Sequence, residues 1–193
     1  MPITTDKIAH ADEFATCKAH RMDVVHHFSE DPSITRFEPH VPKTNPAQSP
    51  AVWAIDSEHA PLYWFPRDCP RATAWPRANN ERPAFEHALA TTAPRLHAVE
   101  FTWLERVRTT TLYRYDFDAS AFDPWEEAHG QWISREPVEP ISVDPVGGLL
   151  DAHVDAGLEL RVLDNLWPLV ELMIDDRWNF SHVRLVNAKP ARA

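Results

Sequence analysis

Val24-Val25-His26-His27-Phe28-Ser29-Glu30-Asp31-Pro32-Ser33-Ile34 is the stretch whose reading decides the fold. Its β-branched and aromatic residues predict a strand over 24–28, and Asp31-Pro32 predicts the turn that follows. Strand alternation sends Val25 and His27 to one face and Val24, His26 and Phe28 to the other. Polar groups therefore stand at the end of a strand, a rigid mount for a donor and an acceptor. A second block, Val52-Trp53-Ala54-Ile55-Asp56-Ser57-Glu58-His59-Ala60-Pro61-Leu62-Tyr63-Trp64-Phe65-Pro66-Arg67-Asp68-Cys69-Pro70-Arg71, repeats the pattern. Residues 51–55 read as a second apolar strand. Asp56 or Ser57 caps a helix predicted over about 58–65, with Pro61 early enough to be tolerated. Pro66 and Pro70 close the unit, and 71–75 is a short strand.

Outward from these blocks the pattern stays irregular. The loop 39–50 carries Pro39, Pro42, Pro46 and Pro50, and a loop of that length is either functional or mobile. A helix is predicted over 84–90, and strands over 97–101 and 109–117 with a helical turn at 102–107. Residues 131–134 and 138–143 read as extended. Asp144-Pro145 opens a helix with Val146, Leu149, Leu150 and Val154 on one face, stopped by Gly157. A strand over 158–163 follows. Next comes a helix capped by Asp164, with Leu166, Leu169, Val170, Met173 and Ile174 on one face, and then a last strand over 182–186. Strands outnumber short helices and do not alternate with them. That predicts a single α+β domain over 22–187, with a curved, mostly antiparallel sheet and short flanking helices. Residues 1–21 read as an extension, poorly ordered or forming a short docking helix near 12–20, and 188–193 as a tail.

The 193 residues are 44% hydrophobic and 10% aromatic, enough for a packed core. A net charge of −10 argues against non-specific nucleic-acid binding, because phosphate affinity rests on Lys and Arg. Arg nevertheless outnumbers Lys, and a local Arg patch suits planar recognition of phosphate or carboxylate. Cys17 and Cys69 make no disulfide framework. No apolar run has the length of a membrane span and no signal peptide is visible, so the expectation is a soluble cytoplasmic protein without a membrane partner. With four Gly and neither GxGxxG nor GxxxxGK[ST], a Rossmann or P-loop nucleotide site is not expected.

Several side chains are candidates for chemistry. His27 and Ser29 can bond a ribose hydroxyl, or His27 can act as a general base; the alternative is a half-buried strand pair and a turn. Asp56, Glu58 and His59 combine carboxylate and imidazole, as divalent metals require. Capping by Asp56 and helix-dipole compensation by Glu58 explain two of those three, and no metal site is expected. Tyr63-Trp64-Phe65 reads as core, with Tyr63 carrying a polar tip. Arg67, Asp68 and Arg71 form either an internal ion network or a phosphate site. Glu136 and Glu139 offer a late carboxylate, either to polarise a hydroxyl or as exposed charge. Cys69 is a poor nucleophile candidate, since a His partner is available only through the fold.

The string from Val24 to Arg71 resembles an uncharacterised family of small bacterial proteins carrying HFSEDPSI and then WAIDSEHAPLYWFPRDCPR. The resemblance extends from about Met22 to Asn187 and brings no established activity with it. A more distant likeness is to the ADP-ribosyltransferase superfamily, which includes poly(ADP-ribose) polymerases and RNA 2′-phosphotransferases. That superfamily is similar in a first strand ending in a His-x-Ser-like element, a helix bearing a Tyr, and a late strand offering a Glu. His27 and Ser29 match the first element, Tyr63 the second and Glu136 the third, with Glu139 as the other register. Phe28 departs from the usual small middle residue. The resemblance implies that His27 and Tyr63 hold the nicotinamide-ribose end of NAD, that Ser29 bonds a ribose or amide, and that Glu136 acts on the ribose hydroxyl.

Three functions stay open on the sequence. The first is an NAD-using or phosphoribosyl-acting transferase. His27 and Glu136 would be catalytic, Ser29, Tyr63, Arg67 and Arg71 would hold a nucleotide-type ligand, NAD would be a substrate, and no cofactor would be required. The second is a non-catalytic binding module with a Trp-rich groove, discriminated by the burial of Trp53, Trp64 and Trp75. The third is a metal-dependent hydrolase using His59 and Asp56.

Overall fold

The chain, described by a computed structural model over residues 24–41, 46–174 and 177–191, builds two sheets. The expected extension at 1–21 lies outside these residues, as do positions 42–45 of the Pro-rich loop. The first sheet contains β1 (Val24–Ser29), β2 (Val52–Ile55), β5 (Tyr113–Asp118), β6 (Asp123–Pro124), β7 (Gln131–Ser134) and β8 (Ser142–Pro145). Its order is β6-β7-β2-β1-β5-β8 and every pair is antiparallel. The second sheet contains β3 (Arg71–Pro76), β4 (Leu96–Glu100), β9 (Glu159–Leu163) and β10 (Trp178–Val183). Its order is β10-β3-β4-β9, with only β4 and β9 parallel. Among the described residues four short helices accompany them: α1 (Arg82–Leu89), α2 (Phe101–Thr109), α3 (Leu149–Asp155) and α4 (Trp167–Met173). The α+β class and the mostly antiparallel character expected from the sequence hold, the strands forming two sheets.

Each sheet buries its own apolar cluster. Val25, Val52, Ala54, Tyr115, Phe117 and Phe122 pack on one face of the first sheet, with Phe37 against them. Ala72, Ala74, Phe85, Leu96, Leu166, Met173 and Trp178 join the second sheet to α1 and α4. A third cluster of Phe65, Cys69, Val99, Val107, Leu112 and Leu149 ties the second sheet to α2 and α3. The β1–β5 register sets His26 opposite Asp116 and His27 opposite Tyr115, so the two histidines occupy opposite faces as alternation requires.

One predicted helix fails and another starts late, each for a local reason. The expected helix over 58–65 is a turn followed by a 3₁₀ segment, Ala60–Tyr63. Pro61 supplies no N–H, and Pro66 pushes Phe65 away from helical backbone. The Asp144-Pro145 pair belongs to β8, an edge strand where a missing N–H is tolerated. Gly147, at φ 86°, separates it from α3, so the helix starts at Leu149 and Val154 is left exposed. Residues 188–191, read as tail, are tied down. Lys189 N–H donates to both carboxylate oxygens of Glu100 at 3.1 Å, and Pro190 O accepts from Asn165 at 2.9 Å. Among the described residues no helix is long and apolar enough to cross a membrane.

Candidate functional site

The His27 end of β1 opens into a cleft between the two sheets. His27, Ser29 and Glu30 contribute from β1 and its exit, Tyr63, Arg67 and Asp68 from the 3₁₀ segment and the turn after it, Arg71 from the start of β3, and Arg184 from the end of β10. Together with His40 they line a cavity of about 360 Å³. A smaller recess of about 60 Å³, walled by His27, Trp53, Tyr63 and Gln131, shares the His27 and Tyr63 side chains with it.

Arg71 is the unusual group. It is 6% exposed, and its guanidinium donates only to backbone carbonyls, from Nε to Leu62 O at 2.9 Å and from Nη1 to Cys69 O at 3.2 Å. The head lies over the rings of Tyr63 and Phe65, 5.6 and 5.2 Å from their centroids. Among the described residues it has no carboxylate partner and Nη2 makes no hydrogen bond. Burial pulls its pKa down, and Arg184 nearby adds to that effect. A buried cation without a counter-ion is costly.

The surrounding backbone is strained as well. Asp68 and Arg184 adopt left-handed φ values of 65° and 56°, and the two side chains pair across the cleft at 3.4 Å. The third non-Gly residue in that region, Ala90, merely terminates α1. Left-handed backbone at side-chain-bearing residues costs about 1–3 kcal/mol each and is kept where the surroundings over-determine it. Arg67 is exposed at the cleft edge, and its N–H donates to Glu30 Oε1 at 2.6 Å. Three guanidiniums therefore face two carboxylates, Glu30 and Asp68, in a chain of net charge −10.

His27 donates from Nδ1 to Trp53 O at 2.9 Å, which fixes the tautomer and leaves Nε2 as a lone-pair acceptor. Burial pushes its pKa down, against the raising effect of that bond, so the ring is neutral at pH 7. Tyr63 accepts from Gln131 at 3.1 Å, and burial raises its pKa while Arg71 opposes the rise. His27, Ser29, Tyr63, Arg67 and Arg71 are thus brought to one cavity. Glu136 does not join them. It is exposed after β7, its carbonyl accepting from Ser134 Oγ at 3.1 Å. Glu139 is exposed too and pairs with Arg36 at 3.2 Å. Neither carboxylate lines the cleft, because β7 lies two strands away from β1. Arg184 and His40 were missed from sequence, since only the sheet pairing brings them near.

Asp56 does not cap a helix. Its Oδ1 accepts from His59 N–H at 2.7 Å and from the His59 ring at 2.8 Å. Among the described residues no group of three or more His, Cys, Asp or Glu is arranged to hold a metal ion. The tryptophans do not form one surface either. Trp75 is buried, whereas the half-buried Trp53 and Trp64 border different cavities. No curated protein and no solved structure matches the chain. A family does match across residues 26–188, nearly all of the described structure, and the chain belongs to it: DUF6886, a family of unknown function.

Proposed function

We infer that the cleft binds a phosphate-bearing, nucleotide-type small molecule, and that the protein works on it as an NAD-using or phosphoribosyl-acting transferase of ADP-ribosyltransferase-like kind. The observation that carries the reading is Arg71, a buried guanidinium without a carboxylate partner among the described residues, at the wall of a cavity that also holds Arg67 and Arg184. Phosphate oxygens would accept the forked donors that the protein leaves unused. His27 and Tyr63, which wall both the cavity and its recess, support a ligand whose ribose or ring end sits deeper than its phosphates. With Glu136 outside the cleft, a carboxylate for the reaction has to come from Glu30 or Asp68.

A ligand-shift thermal melt tests this with NAD, ADP-ribose, nicotinamide and 2′-phosphorylated RNA ends. A phosphate-bearing ligand at a hundred times its dissociation constant stabilises the fold by about 2.7 kcal/mol. Nicotinamide alone, lacking phosphate, is expected to give no shift. Arg67→Ala and His27→Ala are expected to remove the shift while the free proteins still melt cooperatively. No shift from any of the phosphate-bearing ligands would reject the reading.

A further inference from the structure

The opposite face of β1 carries a second constellation, independent of the cationic cleft. His26 is 5% exposed and uses both ring nitrogens. Nδ1 lies 2.7 Å from Asp116 Oδ1, and Nε2 lies 2.8 Å from Ser57 Oγ. Asp116 is held as a carboxylate. Burial works against its charge, but hydrogen bonds from Arg114 and His26 prevail and keep its pKa below the ordinary value. Arg114 grips it with Nε at 2.7 Å and Nη2 at 3.0 Å, and Ser142 Oγ adds a contact at 3.3 Å.

The protons follow from this. An ionised carboxylate only accepts, so Nδ1 of His26 carries the hydrogen and donates it to Asp116. With the ring neutral, as a general base requires, Nε2 is a lone pair to which Ser57 Oγ–H donates. Ser57 is exposed, in the turn between β2 and the 3₁₀ segment, whereas the imidazole and the carboxylate behind it are sheltered. A reachable hydroxyl, a general base and an orienting carboxylate in this sequence of contacts form an activated serine nucleophile. Ser57 and His26 open onto a cavity of about 690 Å³ beside α3. Arg114 and Asp155 line it too, but its apolar wall of Phe28, Ala60, Trp64 and Val146 fits an apolar acyl group. Among the described residues the backbone N–H groups of Ser57 and Glu58 make no hydrogen bond.

We propose that Ser57, His26 and Asp116 form an esterase site for carboxylic esters with an apolar acyl group. Ser57 Oγ attacks the carbonyl carbon and its proton passes to His26 Nε2. The ester C–O bond breaks, and His26 returns that proton to the departing alcohol. Water then attacks the acyl-Ser57 ester, giving a proton to His26. The Oγ–C bond breaks, Oγ takes the proton back, and a carboxylic acid leaves.

The test uses the full chain and a series of p-nitrophenyl esters, acetate, butyrate and octanoate, with phenylmethylsulfonyl fluoride as the covalent probe. Saturable release of p-nitrophenol is expected, together with a single sulfonyl adduct mapping to Ser57 by peptide mass spectrometry. Ser57→Ala, an exposed change that leaves the melt intact, is expected to lower turnover by at least about a hundredfold and to abolish the adduct. Leu172→Ala, an exposed change on α4 that lines neither cavity, is expected to leave turnover unchanged. Turnover that survives Ser57→Ala, the absence of turnover on all three esters, or labelling elsewhere without labelling of Ser57 would each overturn the proposal. The His26 cluster would then be a polar staple joining β1, β5 and the β2 turn.

Discussion

Cys69 and Arg71 stand two residues apart, and burial acts on each in the direction that its chemistry dictates. The Cys69 thiol is fully buried and pushed up to about 12, chiefly by desolvation, with Arg71 and Arg106 only partly opposing it. A thiol in that state is inert, because the thiolate is the nucleophile. Iodoacetamide at pH 8 is therefore expected to leave Cys69 unmodified in the native protein and to alkylate it in denaturant; peptide mapping separates it from Cys17. Rapid native labelling of Cys69 would show that its surroundings open. The neighbouring histidines, His26 and His27, make a second contrast. Their opposite faces were legible from alternation alone, but their partners were not. Asp116 is 90 residues from His26 and Ser57 is 31, and only strand pairing connects them. His26→Ala removes one buried and one part-buried hydrogen bond and is expected to cost about 1–3 kcal/mol in urea denaturation. His27→Ala loses one bond beside an open cleft, where water replaces it, and is expected to cost about 1 kcal/mol or less. Equal losses would place the two rings in equivalent environments, contrary to the structure.

At the scale of elements, the strands were legible and several ends were not. Strands β1, β2, β3 and β5 sit close to where β-branched and aromatic residues placed them, because a half-buried pleated surface selects those residues. The helix expected over 58–65 was lost because capping and proline signals compete there. Asp56 closes its turn on His59, and the backbone never enters an α-helix. That turn leans on Gly130, at the entry to β7. Gly130 has φ 68°, its carbonyl accepts from Asp56 N–H at 2.8 Å, and a Cβ there would lie 2.3 Å from His59 Nδ1. The His59 ring cannot easily retreat. It is bonded to Asp56, stacked on His129 and set edge-on to Trp75. Gly130→Ala therefore combines left-handed backbone strain of about 1 kcal/mol with overpacking of about 1–3 kcal/mol. A fall in stability of roughly 2–4 kcal/mol is expected from chemical denaturation. A neutral result would show that the turn and β7 are not mechanically coupled.

At the scale of the whole molecule, the cleft and the Ser57 site both depend on contacts that local sequence cannot reveal. Arg184 reaches the cleft through β10 pairing with β3, and Asp116 reaches His26 through β5 pairing with β1. The same long-range assembly buries a histidine pair that ties α3 to the second sheet. His153 Nδ1 donates to Leu149 O at 2.7 Å, so its Nε2 must accept, and His97 Nδ1 donates to it at 3.0 Å. His97 Nε2 is then a buried lone pair with no partner among the described residues. Both rings are within 1% of full burial. Desolvation lowers both pKa values, and for His97 the facing His153 and then Arg95 and Arg71 lower it further, well below the usual 6.5. The sign follows from proton counting. Below pH 6.5 the unfolded chain takes up protons that the folded pair refuses, so acid favours unfolding. Each histidine adds a slope of at most about 1.4 kcal/mol per pH unit, between its lowered folded pKa and the usual one. Asp116, with its pKa held below the ordinary carboxylate value, loses stabilisation only at lower pH, beneath about 3.8. Urea midpoints are therefore expected to fall between pH 6.5 and 5, before any carboxylate limb begins. Replacing the pair by His97→Phe with His153→Leu, which removes both titrating groups at similar volume, is expected to lessen that fall, leaving the part that His27 and His182, also lowered by burial, contribute. A midpoint that stays constant from pH 7 to 5 in the unaltered chain would mean that the pair is not held neutral in the fold.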